Sequence, residues 1–362
     1  MSGTSVYRVA SHPADFGEKF MESQFTNGSV VSQQSLSSSS GFKNQTGYLK
    51  PGYGVASAHH GELLQGVVAG DDGRLKRVLV SIPCGIFKSE VRFTPNGSDV
   101  VEVEPKWKVK SCRAVELTLS SLGKHNYGGK VQIHSSIPVG WGLGSSTSDV
   151  TAAIRATANA LNERLSPSKI ATLAVRAETA CDATMFGEQL VLFAQREGIV
   201  VEDFKSSLPR LAVLGFNTSS NGNGIDTIAF APARYTWWQI EPFRPMVGLL
   251  RRAVYLRNAQ LLGQVATASA AINQHYLPTP HFYELKEIST QVGALGLQVA
   301  HTGTIAGLLF DPDDPAKDDR IEQAQTLLAA LGIKHRWVFH TSVNGFAHAK
   351  KAANGNGHSN EN

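Results

Sequence analysis

Ile137-Pro138-Val139-Gly140-Trp141-Gly142-Leu143-Gly144-Ser145-Ser146-Thr147-Ser148-Asp149 is the stretch on which the reading of this chain turns. Three alternating glycines lead from a strand-like run into a helix-like run, and a cluster of hydroxyls follows. Glycine lets a backbone approach an anion closely, and the first N–H groups of a helix point outward unpaired. The helix dipole adds partial positive charge at the same place. The segment therefore reads as a phosphate site, although a plain glycine turn has the same pattern.

The flanks agree. Lys130-Val131-Gln132-Ile133-His134 alternates polar and apolar, as a half-buried strand does. Val150, Ala153, Ile154, Thr157 and Leu161 recur at helical spacing, with Ser145 and Ser146 at the N-cap and first-turn positions. The P-loop pattern G-x-x-x-x-G-K-[ST] is absent, as are a dinucleotide fingerprint and the H-R-D and D-F-G pair of protein kinases.

Composition narrows the class. The chain has 362 residues, 42% hydrophobic and 18% charged, which suits one large or two ordinary globular domains. A net charge of +4 is too small for a dedicated nucleic-acid binder. Three cysteines, Cys84, Cys112 and Cys181, include no C-x-x-C pair and suit a reducing compartment. The N-terminus lacks signal-peptide features and no run approaches a membrane span, so a cytoplasmic protein with no membrane partner is expected. Matches such as Asn217-Thr218-Ser219 are then accidental glycosylation patterns.

Residues 1–50 include a Ser-rich run and few apolar residues, so they read as a disordered or loosely packed extension, and 347–362 as a disordered tail. Strand-like runs fill 55–93. A helix is expected over 168–181, buried strands over 189–194 and 211–216, and a polar break over 217–224. One long helical stretch over 243–273, a helix over 282–295, a Gly303 turn between apolar runs, a helix over 321–331 and a strand over 336–340 follow. Mixed strands and helices without a repeat indicate α+β. The boundaries expected are 51–216 and 217–346.

Glu178 and Asp182 stand four apart, which places both carboxylates on one face if the helix reaches Asp182. One could serve a hard divalent ion and the other the proton of a hydroxyl, or both could be a solvated helix end. His59-His60 could suggest a metal, but no third ligand stands at readable spacing.

Pro138-x-Gly140-x-Gly142-Leu143-Gly144-Ser145-Ser146-Thr147 resembles the phosphate loop of the GHMP small-molecule kinases, and most of all that of the L-threonine kinases of cobalamin nucleotide-loop biosynthesis. Gly61-Glu62-Leu63-Leu64-Gln65-Gly66, Ser81-Ile82-Pro83, the run from Ala177 to Phe186 and His301-Thr302-Gly303-Thr304 carry the resemblance in the same order. Asn273-Gln274 and Asp226-Thr227 add minor support. The resemblance implies a GHMP kinase fold, with an N-terminal domain like ribosomal protein S5 domain 2 and a ferredoxin-like C-terminal domain. It implies ATP and Mg²⁺ as cofactors and a small hydroxylated metabolite as substrate, an amino acid first and L-threonine foremost. Homodimerisation stays open.

By the same resemblance, Pro138, Gly140, Trp141, Gly142, Leu143, Gly144, Ser145, Ser146 and Thr147 bind the nucleotide. Ser146 and Glu178 hold Mg²⁺, and Asp182 orients or deprotonates the acceptor. His60, Gly61, Glu62, Thr302, Gly303 and Thr304 contact substrate. Two departures stand out. His59-His60 occupies a place where relatives often carry lysine or cysteine, and Trp141 replaces a common lysine; its ring could stack on adenine or pack over the loop. They leave open a natural-product kinase for another alcohol, or a non-catalytic nucleotide or metabolite sensor.

Overall fold

The computed structural model describes residues 50–70, 72–219 and 235–341, all within one unit, Leu49–Asn362. The expected extension, the tail and the Asp226-Thr227 segment lie outside the described residues.

Strands β1 (Gly52–Ala69) and β2 (Leu75–Pro95) form a long antiparallel hairpin. β3 (Val101–Glu104) pairs in parallel with β4 (Gly129–Ser135), and β4 pairs with β2. Later come β5 (Gln189–Ala194), β6 (Ile199–Ser207), β7 (Ala212–Asn217), β8 (Gly296–Val299), β9 (Ile305–Phe310) and β10 (Arg336–His340). The main path of the sheet runs β10-β7-β9-β8-β1-β2-β4-β3, with β5 and β6 branching from β2. A single register pair, Glu62 with Val299, joins β1 to β8, whereas β7, on the first-domain side of the expected 216/217 boundary, pairs along its length with β9 and β10 beyond it.

The helices are α1 (Val109–Ser121), α2 (Ser145–Ala160), α3 (Pro167–Glu178), the short α4 (Trp237–Ile240), α5 (Phe243–Tyr255), α6 (Ala259–Asn273), α7 (Phe282–Gln291) and α8 (Lys317–Ala330). The expected α+β class is borne out. None of the described helices is long and apolar enough to cross a membrane.

Helix α2 lies very close to β1. A Cβ on Gly54 would stand 2.1 Å from the Ala152 carbonyl oxygen, so only glycine permits the approach. Alanines on α2 complete the fit, with Ala152, Ala153 and Ala156 packed against Ala56, Val91 and Phe93. This packing fixes where the N-terminus of α2 points.

β7 is buried along its whole length and apolar from Ala212 to Phe216 because both faces are covered. Ala212, Leu214 and Phe216 face Leu285 of α7 and Leu328 of α8. Val213 faces the opposite core, which contains Leu262 and Val265 of α6.

Three expected helices end earlier than their patterns suggest; the one over 282–295 stops at Gln291, before Gly293 at φ 65°. The stretch 243–273 divides, because Arg257 takes a positive φ of 49° and the Asn258 side chain accepts from the Leu261 N–H at 2.9 Å, capping α6. Helix α3 stops at Glu178, where Thr179 turns to φ 74°. Asp182 is therefore not on that helix.

Candidate active site

The glycine loop leaves β4 and turns through Gly140, Gly142 and Gly144 at φ 80°, 92° and 73°. It is pinned from two sides. The His59 N–H donates to the Leu143 carbonyl at 3.2 Å, and the Thr304 N–H donates to the Trp141 carbonyl at 2.9 Å. The Gly303 turn thus lies against the loop backbone.

Gly144 is the N-cap of α2, and no side chain caps that end. The hydroxyls of Ser146 and Thr147 turn instead to Glu178, donating to its two carboxylate oxygens at 2.7 and 2.8 Å. The uncapped first-turn N–H groups are left to meet an anion. Burial pushes the Glu178 carboxyl up to about 7, against the pull of the two hydroxyls. Ser146, Thr147 and Glu178 form an oxygen-only donor set around a buried carboxylate, which fits Mg²⁺.

Asp182 joins this group by another route than a helix face. Its N–H donates to the Thr147 hydroxyl at 3.3 Å. Its side chain meets two histidines, with Oδ2 lying 3.3 Å from His59 Nε2 and Oδ1 3.4 Å from His301 Nε2. Glu62 closes the ring. Its Oε2 accepts from the His301 N–H at 2.7 Å, and Oε1 lies 2.9 Å from His301 Nδ1 and 3.4 Å from His59 Nδ1.

The charges are strongly coupled. Burial disfavours ionisation of Asp182, yet the neighbouring His59 and His301 hold its carboxyl well below the usual range. Burial likewise opposes protonation of His59, but Asp182 and then Glu62 raise its pKa to about 9. The His301 pKa is raised against burial by Glu62 and Asp182.

His59 and Glu62 share a face only because β1 bulges between them. Their partners on β2 are Pro83 and Ser81, so the chain carries one extra residue there, with Gly61 at φ 62°. The bulge sends His60 the other way. That ring is fully buried between Trp337 and Phe339, and Gln298 Nε2 donates to its Nδ1 at 2.6 Å. Burial drives the His60 pKa down to about 3.

Of the expected site residues, the structure brings together the loop, Ser146, Thr147, Glu178, Asp182, Glu62 and the Gly303 turn. Pro138 and Ser145 are part-exposed on the loop, Gly61 lies at the bulge, and Thr302 and Thr304 flank Gly303. His60 lies in the core. Trp141 packs beside His335 and Trp337, with ring centroids 5.2 and 6.1 Å away.

Two members of the site, His59 and His301, had no expected role. His59 was noted only in the His59-His60 pair, as a possible metal ligand and a departure from relatives, and His301 only as the first residue of the Gly303 motif. A water-sized polar cavity next to His59 is lined by Ser57, Ser81, Thr184 and Gln189, and the Ser81 and Thr184 hydroxyls have no protein partner. Asp149, although in the loop segment, is structural: it is buried, accepts from Ser89 Oγ at 2.6 Å and pairs with Lys108.

Comparison with known proteins gives a consistent picture. The profile of the GHMP kinases N terminal domain matches residues 109–187. An L-threonine kinase from Salmonella typhimurium is 30% identical over 208 residues, covering 58% of this chain and 67% of that protein. The L-threonine kinase of Citrobacter freundii is 27% identical over 265 residues, covering 69% and 83%. In fold, the chain is similar to a homoserine kinase from Cytophaga hutchinsonii, with a TM-score of 0.62 at 16% identity, covering 84% of this chain and 97% of that one. The chain belongs to the GHMP kinases, and is an ATP-dependent phosphotransferase whose acceptor is an alcohol group.

Proposed function

We propose that this kinase transfers the γ-phosphoryl group of ATP to the hydroxyl of L-threonine, giving O-phospho-L-threonine. Similarity to two L-threonine kinases supports the acceptor. The notable geometric support is the ionised Asp182 beside the head of α2: a Cβ on Gly144 would lie 2.8 Å from Asp182 Oδ2.

The division of labour follows from phosphoryl-transfer chemistry, which asks mainly for positioning and charge compensation. The Gly140–Gly144 backbone and the first-turn N–H groups of α2 bind phosphate oxygens. Ser146 and Glu178 hold Mg²⁺, which when bound neutralises phosphate charge. Asp182 accepts the hydrogen bond of the acceptor hydroxyl and aims its oxygen. Glu62 and the Gly303 turn bound the acceptor side. The resemblance supports a place in cobalamin nucleotide-loop assembly, in the cytoplasm.

The test is to incubate the full-length chain with ATP, Mg²⁺ and a panel of L-threonine, L-serine, homoserine and simple alcohols, and identify products by mass spectrometry. O-Phospho-L-threonine as the main product is expected. Turnover confined to other alcohols would retire the threonine reading, and no turnover at all would favour a nucleotide or metabolite sensor.

A further inference from the structure

The ring formed by His59, Glu62, His301 and Asp182 has an internal order that ion pairing does not require. Both Nδ1 atoms face Glu62, at 3.4 and 2.9 Å from Oε1. Both Nε2 atoms face Asp182, at 3.3 and 3.4 Å. The rings stand nearly parallel, 25° apart with centroids separated by 6.0 Å. One donor atom from each of His59, Glu62 and His301 lies within 4.8 Å of the others.

We propose that His59 Nδ1, His301 Nδ1 and Glu62 Oε1 bind a divalent transition-metal ion of the zinc type, at a site distinct from the oxygen set of Ser146 and Glu178. Zinc bonds to nitrogen and oxygen are about 2.0–2.2 Å, so donors around one tetrahedral ion stand about 3.4 Å apart. The 3.4 Å from His59 Nδ1 to Glu62 Oε1 matches that value, and the 2.9 Å from His301 Nδ1 to the same oxygen falls short of it. Two imidazoles and one carboxylate select a borderline ion over Mg²⁺, which takes oxygen.

Three further observations support the site. His59 is 1% exposed, and neither ring nitrogen has a partner in hydrogen-bonding geometry. A buried polar group left in that state calls for a missing partner. Glu62 Oε2 is fixed by the His301 N–H, which holds Oε1 facing both Nδ1 atoms. Asp182 stands where metal-bound histidines present their second nitrogen to a carboxylate, the arrangement that fixes ring orientation. With neutral imidazoles, Glu62 and Asp182 together carry two negative charges, which one divalent ion balances.

The test uses the untagged full-length chain, stripped with a chelator and titrated with Co²⁺ while the visible d–d absorption is followed, then with Zn²⁺ in competition. One equivalent of Co²⁺ at micromolar affinity or tighter, displaced by Zn²⁺, is expected. His301→Ala and Glu62→Gln should weaken binding by more than about 100-fold, beyond the 10–100-fold typical of an outer-shell change. Ser146→Ala should leave the Co²⁺ spectrum and affinity unchanged. His301→Cys should regain binding with a new near-ultraviolet thiolate-to-cobalt band. A folded wild-type chain that binds neither ion below millimolar concentration overturns the proposal, as does binding indifferent to His301→Ala. If His301→Ala does not fold, a folded His301→Cys chain that lacks the thiolate band overturns it equally. None of these readouts depends on threonine being the acceptor.

Discussion

His59 and His60 are neighbours in one strand and opposites in physics. His59 faces two carboxylates and its pKa rises to about 9. His60 faces Trp337, Phe339 and an amide, and its pKa falls to about 3. Both rings are buried, so burial alone does not set the charge. What differs is whether a counter-charge is buried with the imidazole. One face of β1 is a polar site and the other a core.

The largest effect that should expose this contrast is acid sensitivity from His60. A histidine whose folded pKa is depressed stabilises the fold above its unfolded pKa of 6.5, and that contribution is lost as pH falls toward about 3. The shift corresponds to a loss on the order of 5 kcal/mol. His60→Gln should flatten the fall in denaturant midpoint below pH 6.5, and an unchanged acid limb would break the comparison.

His59 should do the reverse. Its raised pKa gives stability that is complete below pH 6.5 and lost as pH rises through about 9. In metal-free protein the loss is on the order of 3 kcal/mol, and His59→Gln should remove that alkaline slope in thermal unfolding while leaving the acid limb in place.

Catalysis should track the same face. Asp182→Asn should lower the steady-state phosphoryl-transfer rate by about 100-fold or more, equivalent to about 3 kcal/mol of barrier. His60→Gln should leave that rate within a few-fold.

A smaller effect should come from Gly144→Ala. The new methyl would stand 2.5 Å from His59 Cδ2 at a residue with φ 73°. Strain and overpacking together should cost about 2 kcal/mol in thermal stability. A variant with wild-type melting would show that the loop and the His59 ring are not in the contact described.

Much of the fold could be read from local pattern. The apolar run ending β7, the alternation of β4 and the helix after Gly144 follow from spacing and turn chemistry. The ends of α3 and α5 could not, because Thr179 and Arg257 stop those helices by adopting positive φ, a conformation no propensity assigns to them. The site was legible where it is local, as in the Gly140–Thr147 loop. The link between Glu178 and Asp182 was expected along a helix face. It runs instead through the Thr147 hydroxyl, which contacts both residues.

The sequence by itself determined the glycine loop and the helix start after it, because their spacing is a short-range property of thirteen consecutive residues. It determined the kinase family through motifs in fixed order. Only the tertiary structure decided which histidine belongs to the site. That choice depends on a bulge at Gly61, which puts His59 and Glu62 on one face, and on the pairing of Glu62 with Val299, which brings His301 to meet them. Both are long-range register events, and in a strand a shift of one residue exchanges the two faces.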